Sequence, residues 1–168
     1  MPEIIAINGA NPRNDWRFLA DDEAVPAAGA VAVSLARWLE EGAATGAVRG
    51  VYLDPADDPV LLKGHLAGIG MVALNFPDLN EGRPYSQARL LRAELGYSGE
   101  IRARGAVLAD QLLFMARCGI DVFELAPGVE RQVALSALSA FDIAYQPALA
   151  AAGGADAPFA RLRAGRGA

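Results

Sequence analysis

Four polar side chains recur at alternate positions of three short apolar segments: Asn75, the pair Arg102 and Arg104, and Glu124. The segments Val72–Phe76, Glu100–Arg104 and Asp121–Leu125 read as β-strands, in which successive side chains point to opposite faces. One parity collects Val72, Leu74, Phe76, Ile101, Ala103, Phe123 and Leu125; the other collects Ala73, Asn75, Arg102, Arg104, Val122 and Glu124. Two guanidinium groups beside a carboxylate and an amide suit anion binding. They suit equally a structural ion network in which Glu124 pairs with Arg102 across neighbouring strands.

A second set of polar residues gathers at helix starts. Arg83 stands just ahead of a helix, and Tyr85 and Ser86 follow it. Free backbone N–H groups, the helix dipole and a guanidinium together make an anion site for sulfite, sulfate or a phosphoryl group. The competing reading is that Gly82-Arg83-Pro84 turns the chain while Arg83 pairs with Asp78 or Glu81. Asp110 and Gln111 lie early in the next helix, where an acid is favoured by the dipole alone and Gln111 can hydrogen-bond a ligand or a loop. If a reaction is catalysed, Glu124 and Asp110 are the candidate acid or base. Cys118, at a helix end among apolar residues, reads as a buried structural thiol, and His65 has no companion ligand. Arg89 and Arg92 read as a solvated helix face, with partner docking as the minority alternative.

These side chains need elements to position them. Helix patterns at Pro84–Leu95 and Val107–Cys118 alternate with the strands; Pro84 suits a first helical position, and Gly96 and Gly119 suit helix stops. Such alternation predicts parallel strands joined by crossovers. A parallel sheet covered on both faces has continuous apolar runs, and these strands do not. The expected fold is therefore α/β, with parallel βα repeats forming an incomplete (half) TIM-like barrel whose helices cover one face. Ligands then belong at the strand C-terminal ends: Asp54–Asp57, Pro77–Arg83, Arg104–Ala106 and Ala126–Gly128.

Val51–Asp54 adds a strand of the same kind, with Val51 and Leu53 on the apolar parity and Tyr52 and Asp54 on the other. Asp57 or Asp58 is placed to cap a helix running from Pro59 to about Ala67. Upstream, Ile4–Ile7 and Trp16–Leu19 flank the turn-rich Asn8–Asp15, which predicts a small N-terminal antiparallel β-hairpin. Val31–Glu41 reads as a short strand running into a helix, with Leu35, Trp38 and Leu39 at helical spacing. Downstream come a helix at Val129–Phe141 and a last strand at Ile143–Gln146. One α/β domain over 1–147 is expected, followed by a flexible low-complexity tail at Ala148–Ala168 that carries Arg161, Arg163 and Arg166.

The 168 residues, 53% hydrophobic and 21% charged, have the composition of a globular domain. A formal net charge of -5 argues against general nucleic-acid binding while leaving room for a local anion site. No apolar run reaches the length of a membrane span, and the single cysteine fits a cytoplasmic location. One cysteine also cannot hold a four-cysteine iron–sulfur cluster, and neither GxGxxG after a strand nor GxxxxGK[ST] is present, so no cofactor and no metal are expected.

The words GRPYSQARLLR, GYSGEIRARG, VLADQLLFMARCG and DVFEL resemble a bacterial domain-of-unknown-function family described as oxidoreductases involved in sulfite reduction. Fainter likeness runs from Asp15–Trp16 to Tyr145-Gln146, including Leu35–Leu39 and Asp57-Asp58-Pro59. The resemblance implies a role beside assimilatory sulfite reductase in sulfur assimilation and supplies no catalytic residues. It also implies acids where this chain has Asn75 and Ala106. The first expectation is an accessory protein of assimilatory sulfite reduction that binds an oxyanion, or sulfite reductase itself, at the strand C-terminal ends. The alternatives are a small lyase or transferase acting on an anionic metabolite, and a polar face that serves only as an oligomer interface. Two open sheet edges and one uncovered face add the expectation of a homo-oligomer, such as a homodimer.

Overall fold

Residues of one parity in every strand meet helices, and residues of the other parity do not. The structure, a computed structural model, describes residues 2–8, 12, 15–41 and 48–139. Seven strands form one sheet: β1 (Ile4–Ala6), β2 (Trp16–Phe18), β3 (Ala30–Ser34), β4 (Val48–Leu53), β5 (Met71–Phe76), β6 (Glu100–Gly105) and β7 (Val122–Glu124). Their order is β1-β7-β6-β5-β4-β3-β2. All neighbouring pairs are parallel except β1 with β7, and the sheet curls into a half-barrel.

The helices α1 (Leu35–Glu41), α2 (Arg83–Arg89), α3 (Leu112–Arg117) and α4 (Arg131–Ser139) all lie on the convex side. Leu35 and Trp38 from α1, Ala88 from α2, Met115 from α3 and Leu138 from α4 share one buried cluster with Val51, Val72, Leu74, Ile101 and Phe123. At roughly 1.5–3 kcal/mol for each large apolar side chain taken out of water, this layer dominates the stability. The concave side has its own small cluster, in which Ala32, Met71 and Ala73 pack with Trp16, Phe18 and Tyr52. Small residues make room for large ones there. A Cβ on Gly50 would fall 2.9 Å from the Trp16 indole and 3.1 Å from Ala32 Cβ.

One contact measures the curl. The Arg104 guanidinium on β6 lies 3.8 Å from the centroid of the Phe18 ring on β2. Those strands stand four apart in the sheet, about 19 Å if it were flat. Only a strongly curved sheet brings the two side chains together.

The strands, the one-sided helices and the stops at Gly96 (φ 65°) and Gly119 (φ 105°) agree with the sequence reading. Three features differ. The N-terminal strands exist but do not form a hairpin with each other: β1 runs antiparallel to β7, and β2 runs parallel to β3 at the far edge. β1 brings buried Ile4 and Ile5 onto an edge that would otherwise be open. Pro59–Ala67 is not an α-helix but two 3-10 turns, Pro59–Leu62 and Leu66–Gly68, separated by Gly64 at φ 93°. Asp58 caps the first of them through the Val60 N–H. The helix expected over Val107–Cys118 is regular only at Leu112–Arg117, after a 3-10 turn at Ala109–Gln111. Of the three residues at helical spacing on α1, Leu35 and Trp38 are buried and Leu39 is exposed. The strand at Ile143–Gln146 and the tail from Ala148 lie outside the described residues.

Gly105 closes the C-terminal end of β6 against β5. Its φ is 99°, and a Cβ there would lie 2.3 Å from the Phe76 carbonyl oxygen. Gly105→Ala therefore lowers stability by about 2–4 kcal/mol, from backbone strain together with overlap, and urea unfolding reads this as a lower midpoint.

Candidate functional site

The concave side is apolar toward the strand N-termini, Glu100 excepted, and polar at the opposite end, the mouth. Arg102, on β6, is fully buried. Its Nε donates to Glu100 Oε1 at 2.7 Å and its Nη1 to Glu124 Oε1 at 3.3 Å. A buried guanidinium is tolerated only when carboxylates compensate it, and here they flank it. The expected cross-strand pair of Arg102 with Glu124 is present.

The other oxygen of Glu124, Oε2, lies 3.9 Å from Arg104 Nε, too far for a hydrogen bond. Arg104 instead lays its guanidinium on the Phe18 ring, a cation–π contact. Neither of its terminal nitrogens hydrogen-bonds a described residue, and about a third of the side chain is exposed. It is a positive group held by its face on Phe18, with a carboxylate near its edge.

Opposite Arg104 stand carboxylates and hydroxyls from β4 and from the β2–β3 crossing. Asn75 donates to Asp54 Oδ1 at 2.8 Å. The Asp54 backbone is fixed in turn: its N–H donates to Asp57, and its carbonyl accepts from buried Gln87 at 2.9 Å. Ser34 donates to Asp21 Oδ1 at 2.6 Å. The Tyr52 hydroxyl donates to the Leu19 carbonyl at 3.2 Å. Burial first, and then the charges of Asp21 and Asp54, push the Tyr52 pKa up, against the lowering by the Ser34 hydrogen bond and Arg104. At neutral pH this phenol therefore keeps its proton and acts as a donor.

The sequence-derived candidates divide between two places. Asn75, Arg102, Arg104 and Glu124 share the concave face. Tyr85, Ser86, Asp110 and Gln111 belong to the helix layer. Tyr85 packs at 5.1 Å edge-on against Phe76, which points to the convex side, and at 5.0 Å against Phe114. Its pKa is raised by burial, Cys118 and Asp110, while Ser86 and Asp110 are exposed. Gln111 is half-buried, and its side-chain carbonyl has no partner among the described residues.

Arg83 is already paired with a carboxylate. Its Nε and Nη2 bind the two Glu81 oxygens at 2.9 and 2.6 Å, and its backbone N–H donates to Glu81 Oε1 at 3.0 Å. A carboxylate of the chain thus occupies the position proposed for an external anion. Arg83, Tyr85 and Ser86 sit on α2 in the helix layer, whereas the side chains of Arg102 and Arg104 lie on the concave face of the sheet.

Two arginines have structural duties that spacing did not reveal. Arg92, expected on a solvated face, donates to the carbonyls of Gly119, Tyr97 and Gly99 and pairs with Asp121. Arg37 is buried and ties the β2–β3 crossing through the carbonyls of Ala20 and Glu23. Cys118 is buried, and burial raises its thiol pKa, as befits an inert cysteine. His65 is exposed. Of the mouth residues, Phe18, Ser34 and Asp21 escaped sequence reading; extending the strand parity to β2 and β3 would have found the first two. Gln87 could have been found at helical spacing, between Pro84 and Leu91.

Among the described residues no three His, Cys, Asp or Glu side chains gather as a metal site, and no helix is long and apolar enough to cross a membrane. What the fold and mouth define is a half-barrel α/β protein with a mixed-charge rim at its strand C-terminal ends. The chain belongs to the family described as "Bacterial protein of unknown function (DUF934)", whose model matches residues 50–154. That span contains Tyr52, Asp54, Asn75, Arg102, Arg104 and Glu124. No curated protein and no solved structure matches the chain.

Two predictions follow from the contrast between buried and mouth groups. Arg102→Ala leaves Glu124 and Glu100 uncompensated and costs about 3–5 kcal/mol, whereas Arg104→Ala costs about 1 kcal/mol or less; chemical denaturation of both variants checks the ranking. The Arg83 side-chain and backbone hydrogen bonds hold the Glu81 carboxyl at about 2. It stays charged as pH falls through the ordinary carboxylate range, and in Arg83→Ala its midpoint rises toward the ordinary value of about 4.3 without reaching it, because the backbone N–H groups of residue 83 and Gly82 still donate to it, as followed by NMR titration of the side-chain carboxyl.

Proposed function

We propose that this protein is a non-catalytic accessory factor of assimilatory sulfite reduction, and that its mouth binds a small oxyanion at Arg104. The observation that carries the binding half is the state of Arg104: stacked on Phe18, 3.9 Å from its nearest carboxylate, with its terminal donors uncommitted among the described residues. A guanidinium held in this way is pre-organised for a carboxylate, sulfite or sulfate, which its fork matches with paired hydrogen bonds. The protonated Tyr52 hydroxyl and Asn75 offer neutral contacts close by. The sulfite half rests on the resemblance of the central motifs.

Binding is favoured over a lyase or transferase reaction by the positions of the two candidate acids. Glu124 is shared between Arg102 and Arg104, and Asp110 lies in the helix layer. They do not face a common reacting centre. Self-association through the sheet edges has little support, since β1 and β2 are three residues long and short edges pair poorly.

At ten times the dissociation constant, sulfite, sulfate or phosphate should stabilise the wild type by about 1.4 kcal/mol, a rise of about 3–6 °C for a domain of this size. The rise disappears in Arg104→Ala and persists in Arg83→Ala. The reverse pattern would move the site to α2, and no response from any of the three anions would remove the oxyanion reading. Co-purification with sulfite reductase is the outcome expected of the partner half.

A further inference from the structure

Resting on that reading of Arg104, we infer that the mouth selects a small zwitterion: an anionic group on Arg104 and a primary ammonium held between Asp54 and Asp21. Charge across the mouth is polarised, not uniform. Arg104 stands on β6, Asn75 directly beside it on β5, and Asp54 at the end of β4, so the cation and the carboxylate are two strands apart with a neutral amide between them. Two strand spacings are about 9–10 Å at the backbone, and the bend of the sheet draws concave side chains closer than that. A molecule whose ammonium and acid groups are separated by two or three bonds is short enough to meet both.

The acidic end is built as well as the basic one. Asp54 gives one oxygen to Asn75 and Asp21 gives one to Ser34, and the second oxygen of each carries no hydrogen bond from a described residue. Ser34, which holds Asp21, stands directly beside Tyr52 across β3 and β4, and Asp54 follows Tyr52 by two residues on the same parity, so both acids gather around one side chain. A simple dianion meets repulsion from Asp54, Asp21 and Glu124 as it approaches Arg104, at distances within a Debye length. An ammonium on the same molecule converts two of those repulsions into attractions.

The test uses the full chain and two probes matched in size and anionic group, taurine and isethionate, which differ by an ammonium in place of a hydroxyl. L-serine serves as a carboxylate zwitterion. Calorimetric titration of the wild type should give taurine and L-serine at least tenfold tighter than isethionate. In the double variant Asp21→Asn, Asp54→Asn isethionate binds more tightly, because like charge has left the mouth, and the preference for taurine falls to about onefold. Arg104→Ala loses all three probes. Equal affinity for taurine and isethionate in the wild type overturns the zwitterion while leaving the anion site standing. A taurine preference that survives in the double variant also overturns it. Binding of none of the probes, nor of sulfate, overturns both readings together. Circular dichroism and the thermal midpoint of the double variant establish that it is folded before its affinities are compared.

Discussion

Arg102 carries a positive charge with no access to water, and the concave side is arranged around that fact. Transfer of such a charge from water costs several kcal/mol even after relaxation. Glu100 on its own strand and Glu124 on the next offset it. The compensation fixes Glu124, and Glu124 in turn determines how far Arg104 is restrained. Because Glu124 Oε1 is committed to Arg102, only Oε2 remains for Arg104, and it stays 3.9 Å away. The most buried ion pair thus sets the availability of the most useful cation.

Curvature is the second constraint, and side-chain size governs it. Trp16 and Phe18 on the outermost strand can reach over the sheet only because Ala32, Gly50 and Ala73 leave space beneath them. The convex layer does the complementary work with larger groups, Leu53, Leu74, Phe76 and Phe123, under four helices. Bulk outside and small residues inside bend a parallel sheet the same way from both faces. Polar staples hold the loops that result: Arg37 fastens the helix-free crossing between β2 and β3, and Arg92 gathers the turns that lead into β6 and β7.

Much of this was legible from alternation alone. The central strands, their two-faced chemistry, the single helix layer and the Arg102–Glu124 pair all follow from side-chain period and from glycines at helix ends, which are local signals. Most of what failed was non-local. Ile4–Ile7 and Trp16–Leu19 resemble a hairpin because a turn-rich stretch lies between them, yet pairing is decided by which edge needs covering, and β7 is remote in sequence. The helix expected after Pro59 failed for a local reason given too little weight, the left-handed Gly64. Arg83 and Arg104 looked alike as charged residues at strand ends. They differ because Glu81, two residues away, closes on the first, while the nearest acid to the second is already engaged. Asp21, Ser34 and Phe18 reach the mouth only through the bend, which no window of sequence contains.

The pairing of β1 with β7 has a bearing on how the chain reaches its folded state. Ile4 faces Glu124, so β1, made before the other six described strands, must wait for β7 before it can dock. Contacts between such distant positions are slow to form, because a long loop has to close first. In the interval Ile4 and Ile5 remain in water, and the outer side of β7 presents an unsatisfied row of backbone donors and acceptors. Docking of β1 is therefore the latch of assembly, and a nascent chain that stalls before it is the species most prone to pair with a stranger.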